Sequence, residues 1–391
     1  MRVLFLMIAY PDIAKNTNMY TDLTEEFLKN GHDVYVAAPN KYSTKIFNEG
    51  GIKVLRIKTL PLFKTSMIKK GIANLLLPYQ YKRAITRYFK KISFDLVVMS
   101  TPPITLIETA IFIKKMYNAN IYLILRDIFP QNAKDLGLIK NPLIFNYFRR
   151  KEKKMYKMAD SIGCLSRKNI DFVNIRNPEV NINKLHLLPN WTRVNETAIL
   201  GFENKSKYGF QDKFVAIFGG NFGLPQKIEF LIEVAEMIRE KKEIIFLLVG
   251  DGTEMKKIKK MVLTKNLENV RIIDQLPRNE YLELLKGCDV GLVNLSDKFT
   301  IPNIPSRTLS YWSLKLPVLA AVDVNTDFGD LLESCDGGLW SVTGDVDAYI
   351  SNLLLLYNNP QKRIQMGKNG YNFLINELNS ERAYKTIISK F

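Results

Sequence analysis

The chain holds 391 residues, 47% of them hydrophobic and 24% charged, a globular mixture that excludes disordered and collagen-like chains. At about 100–200 residues per domain this length makes two domains. The formal net charge of +17 calls for an anionic partner, while Cys164, Cys288 and Cys335 are too few and too scattered for a disulfide framework or a zinc site, and read as reduced thiols of a cytoplasmic protein.

The opening MRVLFLMIAYPD has an apolar run too short for a signal peptide and lacks a small-residue cleavage site, so it is expected to be a buried first strand. No apolar run approaches the roughly 20 residues of a membrane-spanning helix. A helix from about Asn18 to Lys29 stops at Gly31, and the strands DVYVAAP and GIKVLRI follow. From Gly51 to Ser93 there is no Asp or Glu. That stretch carries Arg56, Lys64, Lys69, Lys70, Lys82, Arg83 and Arg87 among Leu, Ile and Tyr, the pattern of an interfacial segment on anionic lipid. A solvated helix face is the competing reading. No RRM, KH, helix-turn-helix or zinc-finger pattern is present, so no nucleic acid is expected as partner, and a nucleic-acid binder using the basic surface is kept as the rival reading.

DLVVMST, ANIYLILRD and ADSIGCLS continue the alternation of strand and helix, and a second basic block, opened by Arg149 and Arg150, starts another helix. The β-α-β rhythm predicts a mostly parallel sheet covered by helices. At LHLLPNWT it breaks, and the polar stretch to Ser206 reads as an interdomain linker. A second alternation runs through KFVAIFGGN, EIIFLLVGDG, VRIIDQL, DVGLVNL, PVLAAV and GGLWSV. The expected domains are 1–192 and 193–375, with a last helix within 376–391 packing back toward the first domain. Ligands of such sheets lie beyond the carboxyl ends of the strands, so the active site is expected in a cleft between the two halves.

Three strand ends in the second half suit a nucleoside diphosphate. In IPNIPSRTLSYWSLKLPVLA, Pro305 and Ser306 signal a helix start, with Ser306 as cap and Arg307 adding charge to a helix terminus that accepts phosphate. GGNFGLPQK brings Asn221, Gly223 and Lys227 into a turn between strand and helix, where small residues let backbone approach a ligand. GDGTE supplies Gly250, Asp251 and Gly252 in a third such turn. An ordinary glycine-rich turn or capped helix is the bland alternative at each.

Together GGNFG, VGDG and PSRTLSYWSLKLPVLA resemble glycosyltransferase family 4, of the GT-B fold: α/β, two Rossmann-like domains with parallel sheets facing across a cleft. EEFLKNGHDVYVAAP, LRDIFPQNAKDLGLIKNP, ADSIGCLS and LHLLPNW resemble its first half, in particular the branch with the L-fucosamine transferases of O-antigen and capsule synthesis. The resemblance implies that Asn221, Gly223 and Lys227 lie near the donor phosphates, that Gly250, Asp251 and Gly252 flank the nucleotide, and that Leu276-Pro277-Arg278 match the stretch that holds the base. It implies that Pro305, Ser306 and Arg307 match a Pro-Ser-Lys whose amides face the diphosphate, and that Arg126 and Asp127 stand where many members carry a histidine. Pro302 and Ser310 replace a pair of glutamates that hold donor sugar and ribose; Ser310 retains a hydroxyl for the ribose. The first loop, DIAKNTNMY, replaces a glycine-rich one, which puts Asn16 and Asn18 in reach of a substrate.

The implied enzyme is a retaining glycosyltransferase using a nucleoside-diphosphate sugar, of UDP-N-acetylhexosamine type, and a polyprenyl-diphosphate-linked acceptor. It works without cofactor or metal at the inner face of the membrane, in surface polysaccharide synthesis, with Asp127 as fallback base and Arg126 as contact to acceptor or donor. Domain closure excludes water. A non-catalytic member partnering another transferase, or a soluble or protein acceptor, is the alternative. Asp345-Val346-Asp347 imitates a metal motif, but its place at a helix start favours capping. His32 and His186 have no partners for a triad and read as structural.

Overall fold

A computed structural model describes residues 1–62, 65–193, 205 and 208–391, with the side chains of Met67 and Ile68 left out of the description. Lys64 and most of the expected linker up to Ser206 lie outside the described residues. The chain forms two compact units, Met1–Arg193 with Ser380–Phe391, and Val194–Asn379.

The first unit is built on β1 (Arg2–Leu6), β2 (Asp33–Asn40), β3 (Lys45–Glu49), β4 (Ile52–Lys58), β5 (Leu96–Ser100), β6 (Asn120–Leu125), β7 (Ser161–Cys164) and β8 (Leu185–Leu187). Their spatial order is β3-β4-β2-β1-β5-β6-β7-β8. The central strands are unbroken apolar runs because both faces are covered, and every residue of β5 is buried. Two features differ from expectation. Strand β3 runs antiparallel to β4, joined through Gly50 (φ +62) and Gly51 (φ +91), the two positive φ values a tight hairpin turn needs. The segment from Leu185, read as the start of a linker, is instead the edge strand β8, followed by a buried Trp191 whose indole N–H donates to the Met19 carbonyl at 2.6 Å.

The hairpin fixes the loop after β1. Arg56, counted with the lipid-facing cations, is turned inward and holds Glu49 through two hydrogen bonds of 2.9 and 2.7 Å. It also donates to the carbonyls of Tyr10 and Pro11. The two side chains are only 12% and 11% exposed. Arg56→Met leaves the Glu49 carboxylate buried and unpaired, which is expected to cost about 3–5 kcal/mol in urea unfolding. Arg56→Met combined with Glu49→Leu is expected to recover most of that loss, since no charge is then stranded.

The second unit carries β9 (Phe214–Asn221), β10 (Ile244–Asp251), β11 (Val270–Asp274), β12 (Val290–Asn294), β13 (Val318–Val322) and β14 (Gly338–Val342). All pair parallel in the order β11-β10-β9-β12-β13-β14. Alternate residues of β9 feed two cores. Ala216 and Phe218 pack with Leu231, Phe246 and Tyr349; Val215 and Ile217 pack with Leu247, Tyr311 and Trp312. The strand order reverses direction between β9 and β12, so the crevice beyond their carboxyl ends is where a ligand belongs.

Candidate functional site

At that crevice the ends of β9 and β10 run in register, Gly220 beside Gly250 and Asn221 beside Asp251. A Cβ on Gly250, whose φ is +156, would lie 1.8 Å from the Gly220 carbonyl oxygen, and one on Gly252 would lie 2.3 Å from that of Phe222. Backbone hydrogen bonds from Phe222 to Asp251 and from Glu254 to Phe222, both 2.9 Å, lace the two turns together. Gly219 leaves room for the Tyr281 hydroxyl, which would sit 1.9 Å from a Cβ there. Its N–H donates to the Tyr311 hydroxyl at 3.1 Å, and that hydroxyl donates to the Leu292 carbonyl at 3.2 Å.

Onto this frame Arg307 lays its guanidinium, 4.1 Å above the Phe218 ring and against Gly220, where a Cβ would stand 3.7 Å from Nη2. Burial pushes its pKa down from the usual arginine value, the nearby Tyr311 and Tyr281 opposing. Its Nη1 is buried without a hydrogen-bond partner, as are Asn294 Oδ1 and Thr308 Oγ1. Unsatisfied buried polar atoms are rare in folded proteins and call for a specific explanation. Lys227, in the left-handed region at φ +40, places its ammonium 2.9 Å from Asp297. That hydrogen bond holds the Asp297 carboxyl below its usual range. The Lys227 carbonyl accepts from Asn294 Nδ2 at 3.2 Å.

The remaining expected donor residues fare differently. Asn221 Nδ2 reaches Gln226 Oε1 at 3.3 Å, and Gly223 is small because a Cβ would meet Asn221 Nδ2 at 2.5 Å. The Asp251 carboxylate turns onto the Gly252 N–H at 2.8 Å. Ser306 is not a cap. The helix Thr308–Ser313 begins after Arg307, which is already helical, and has no side-chain cap; the Ser306 carbonyl accepts from Leu309 instead. Pro305 is half-buried in the preceding loop, Pro302 is buried, Ser310 is half-buried and Arg278 is exposed at the start of the helix Arg278–Leu285. Tyr281, Tyr311, Phe218, Asn294 and Asp297 were not anticipated. Their one sequence signal is position, at or just beyond strand ends, or one turn after Arg278 for Tyr281 and after Arg307 for Tyr311.

In the first unit Arg126 stacks 4.4 Å over Trp191, and Thr101 Oγ1 accepts the backbone N–H groups of Arg126 and Asp127 at 2.9 and 3.3 Å. Burial raises the Asp127 pKa to about 6, with Arg126 opposing. The folded pKa then exceeds the unfolded one, so the native state binds the proton more tightly. The stability this contributes is present below about pH 4 and lost as pH rises through about 6. Asp127→Asn is therefore expected to unfold like the wild type near pH 3 and to gain up to about 3 kcal/mol at pH 8, in urea titrations at the two values.

Asn18 is corrected from substrate contact to helix cap. Its Oδ1 accepts from Tyr20 and Thr21 at 2.9 and 3.1 Å, and its Nδ2 donates to the Ala9 carbonyl at 2.8 Å. Asn16 is exposed, and accepts from Thr17 at 2.9 Å. Asp345 caps as expected, accepting from Ala348 at 3.0 Å.

On the helix Met67–Tyr88, the exposed Ile72, Leu75, Leu76 and Tyr79 form one stripe at i, i+3, i+4, i+7. Lys69, Lys70, Arg83 and Arg87 are exposed on the same helix, whereas Lys82 is half-buried, 5.8 Å from the Phe112 ring centre. The second basic block is a different case. Arg149 pairs with Glu152 at 2.7 Å and donates to Asn177 and Arg176, so it is tied into the fold rather than offered to a surface. Lys151 and Lys154 share Glu108, and Lys153 pairs with Glu179; Arg150 is exposed. Among the described residues, no helix is long and apolar enough to cross a membrane.

Residues 202–373 match the family described as Glycosyl transferases group 1. The chain is 24% identical over 275 residues to the probable glycosyltransferase WbjE of Pseudomonas aeruginosa, covering 69% of this chain and 67% of that one. Among solved structures it resembles the sucrose-phosphate synthase of Thermosynechococcus elongatus, at TM-score 0.80 and 15% identity over 100% of this chain and 98% of that one. It also resembles Anabaena HepE in complex with UDP, at TM-score 0.70 and 15% identity over 100% and 99% of the two chains. The likeness to these solved structures shows the GT-B fold of the two units.

Proposed function

We propose that the protein is a retaining transferase that takes a sugar from a nucleoside diphosphate, of UDP-N-acetylhexosamine type, and passes it to a polyprenyl-diphosphate-linked acceptor during surface polysaccharide synthesis. In this reading it belongs with the L-fucosamine transferases of family 4 and works on the inner face of the membrane. The observation that carries the reading is Arg307, a half-buried side chain with a buried, unsatisfied Nη1, set against Gly220 where the strand order reverses. A diphosphate gains negative charge as the glycosidic bond breaks. A fixed cation beside backbone with no Cβ in the way stabilises that charge without a metal. Lys227 assists once it leaves Asp297. The HepE structure, with UDP bound, supports the choice of base. In the first unit Asp127 and Arg126 serve the acceptor, and the stripe on Met67–Tyr88 with its exposed cations meets anionic lipid.

A thermal-shift panel of UDP-, GDP- and dTDP-sugars tests this. A UDP-sugar at 100 times its Kd is expected to add about 2.7 kcal/mol of stability, and a chain unresponsive to every nucleotide refutes the proposal. The absence of carboxylates at Pro302 and Ser310 favours a second reading, a non-catalytic partner of another transferase. Slow hydrolysis of the donor by the purified protein, lost in Arg307→Met, eliminates it.

A further inference from the structure

At the amino-terminal ends of β12 and β13, on the opposite edge of the second sheet from Gly220 and Gly250, lies a cavity of about 250 Å³. Lys205, Lys286, Lys315, Arg363 and Lys368 line it, against a single carboxylate, Asp289. Asp289 is already engaged: it accepts from Lys205 at 2.6 Å and from the Val215 N–H at 2.8 Å, with Arg363 3.8 Å away. Lys286 has its own partner in Glu283 at 2.6 Å. Among the described residues, Lys315 and Lys368 have no carboxylate within ion-pair distance.

The wall that carries these two lysines is rigidly built. Gly367 lets the helix Pro360–Glu377 lie directly on the preceding turn, where a Cβ would come 1.8 Å from the Lys315 carbonyl oxygen. Lys315 itself is held in the left-handed region at φ +56, and its ammonium lies 4.8 Å from the centre of the Tyr371 ring. Lys368 follows Gly367 directly, so the same close contact that fixes the turn keeps both cations on one cavity. Pro360, the first residue of that long helix, lines the cavity as well, adding the positive end of its dipole. Like charges brought together around one cavity repel, and an anion between them turns that repulsion into binding.

We propose that this cavity binds a small phosphate-bearing anion, of the pyrophosphate or sugar-phosphate class, at a site separate from the donor edge. Its volume suits one such group with a small body, and Cys288, Leu316 and Ile364 give the body an apolar floor. The proposal stands on this geometry alone and does not need the transferase reading.

Titration calorimetry with pyrophosphate, at constant ionic strength, tests it on three proteins. The wild type is expected to bind saturably, Lys315→Gln/Lys368→Gln at least tenfold more weakly, and Lys227→Gln, altered at the donor edge, like the wild type. Unchanged affinity in the double variant overturns the proposal, as does an equal heat when chloride replaces pyrophosphate at the same ionic strength. Loss of affinity in Lys227→Gln places the anion at the donor edge and overturns it too. A parallel arm uses vesicles of anionic phospholipid. If the double variant loses vesicle binding while keeping pyrophosphate affinity, the cavity serves a lipid headgroup, and the soluble ligand is refuted.

Discussion

Arg307→Met is expected to lower kcat/KM for sugar transfer by about 10²- to 10³-fold, the usual cost of removing one preorganised donor from a developing anion. Methionine keeps an apolar stem over Phe218 and removes the charge. Because the diphosphate becomes more negative in the transition state than in the bound sugar nucleotide, most of the loss is expected in kcat and less in KM. Arg307→Lys keeps the charge and is expected to recover part of the rate, though a lysine does not reproduce the stacked, planar fork. Steady-state kinetics of the two variants, with unfolding temperatures as the check on folding, decide the matter. A wild-type kcat in Arg307→Met removes Arg307 from the chemistry.

The second large effect is structural. Gly250→Ala is expected to destabilise the protein by about 3 kcal/mol or more, adding a strained φ of +156 to a Cβ placed 1.8 Å from the Gly220 carbonyl. Backbone cannot swing aside as a flexible side chain does, so the end of β9 must move from β10. The predicted signature is a lower midpoint in urea together with weakened nucleotide binding. Gly71→Ala is the control: it lies within the helix Met67–Tyr88, meets nothing within 4 Å, and is expected to stabilise by about 0.5–1 kcal/mol. Equal behaviour of the two alanines means that the close approach of β9 and β10 does not matter.

The amino-acid order alone shows the parallel strands, because a strand covered on both faces must be apolar along its whole length. It hides β3, since KIFNE is almost wholly exposed and has no apolar face to declare it. It also hides β8, whose three residues are too few for a period. Turn chemistry marks the glycines and Arg307, because their constraint is local. Tyr281 and Tyr311 escape notice because they act through sheet register: each reaches Gly219 across a distance in sequence of 62 and 92 residues. Ser306 misleads because Pro-Ser before a helical run imitates a cap while the chain enters the helix through Arg307. The lysines and arginines of 149–154 mislead because charge counted along a chain says nothing of the acids Glu108 and Glu179 that folding brings to them.

The return of Ser380–Phe391 to the first unit bears on time as well as on space. Tyr384 packs on Phe27 at 4.9 Å between ring centres and meets His32 Nε2 at 2.9 Å. A ribosome must make all of Val194–Asn379 before that tyrosine exists. At about 5–20 residues per second the delay is on the order of 10–40 s. Through that interval the first unit waits without the Tyr384 ring that packs on Phe27 and His32.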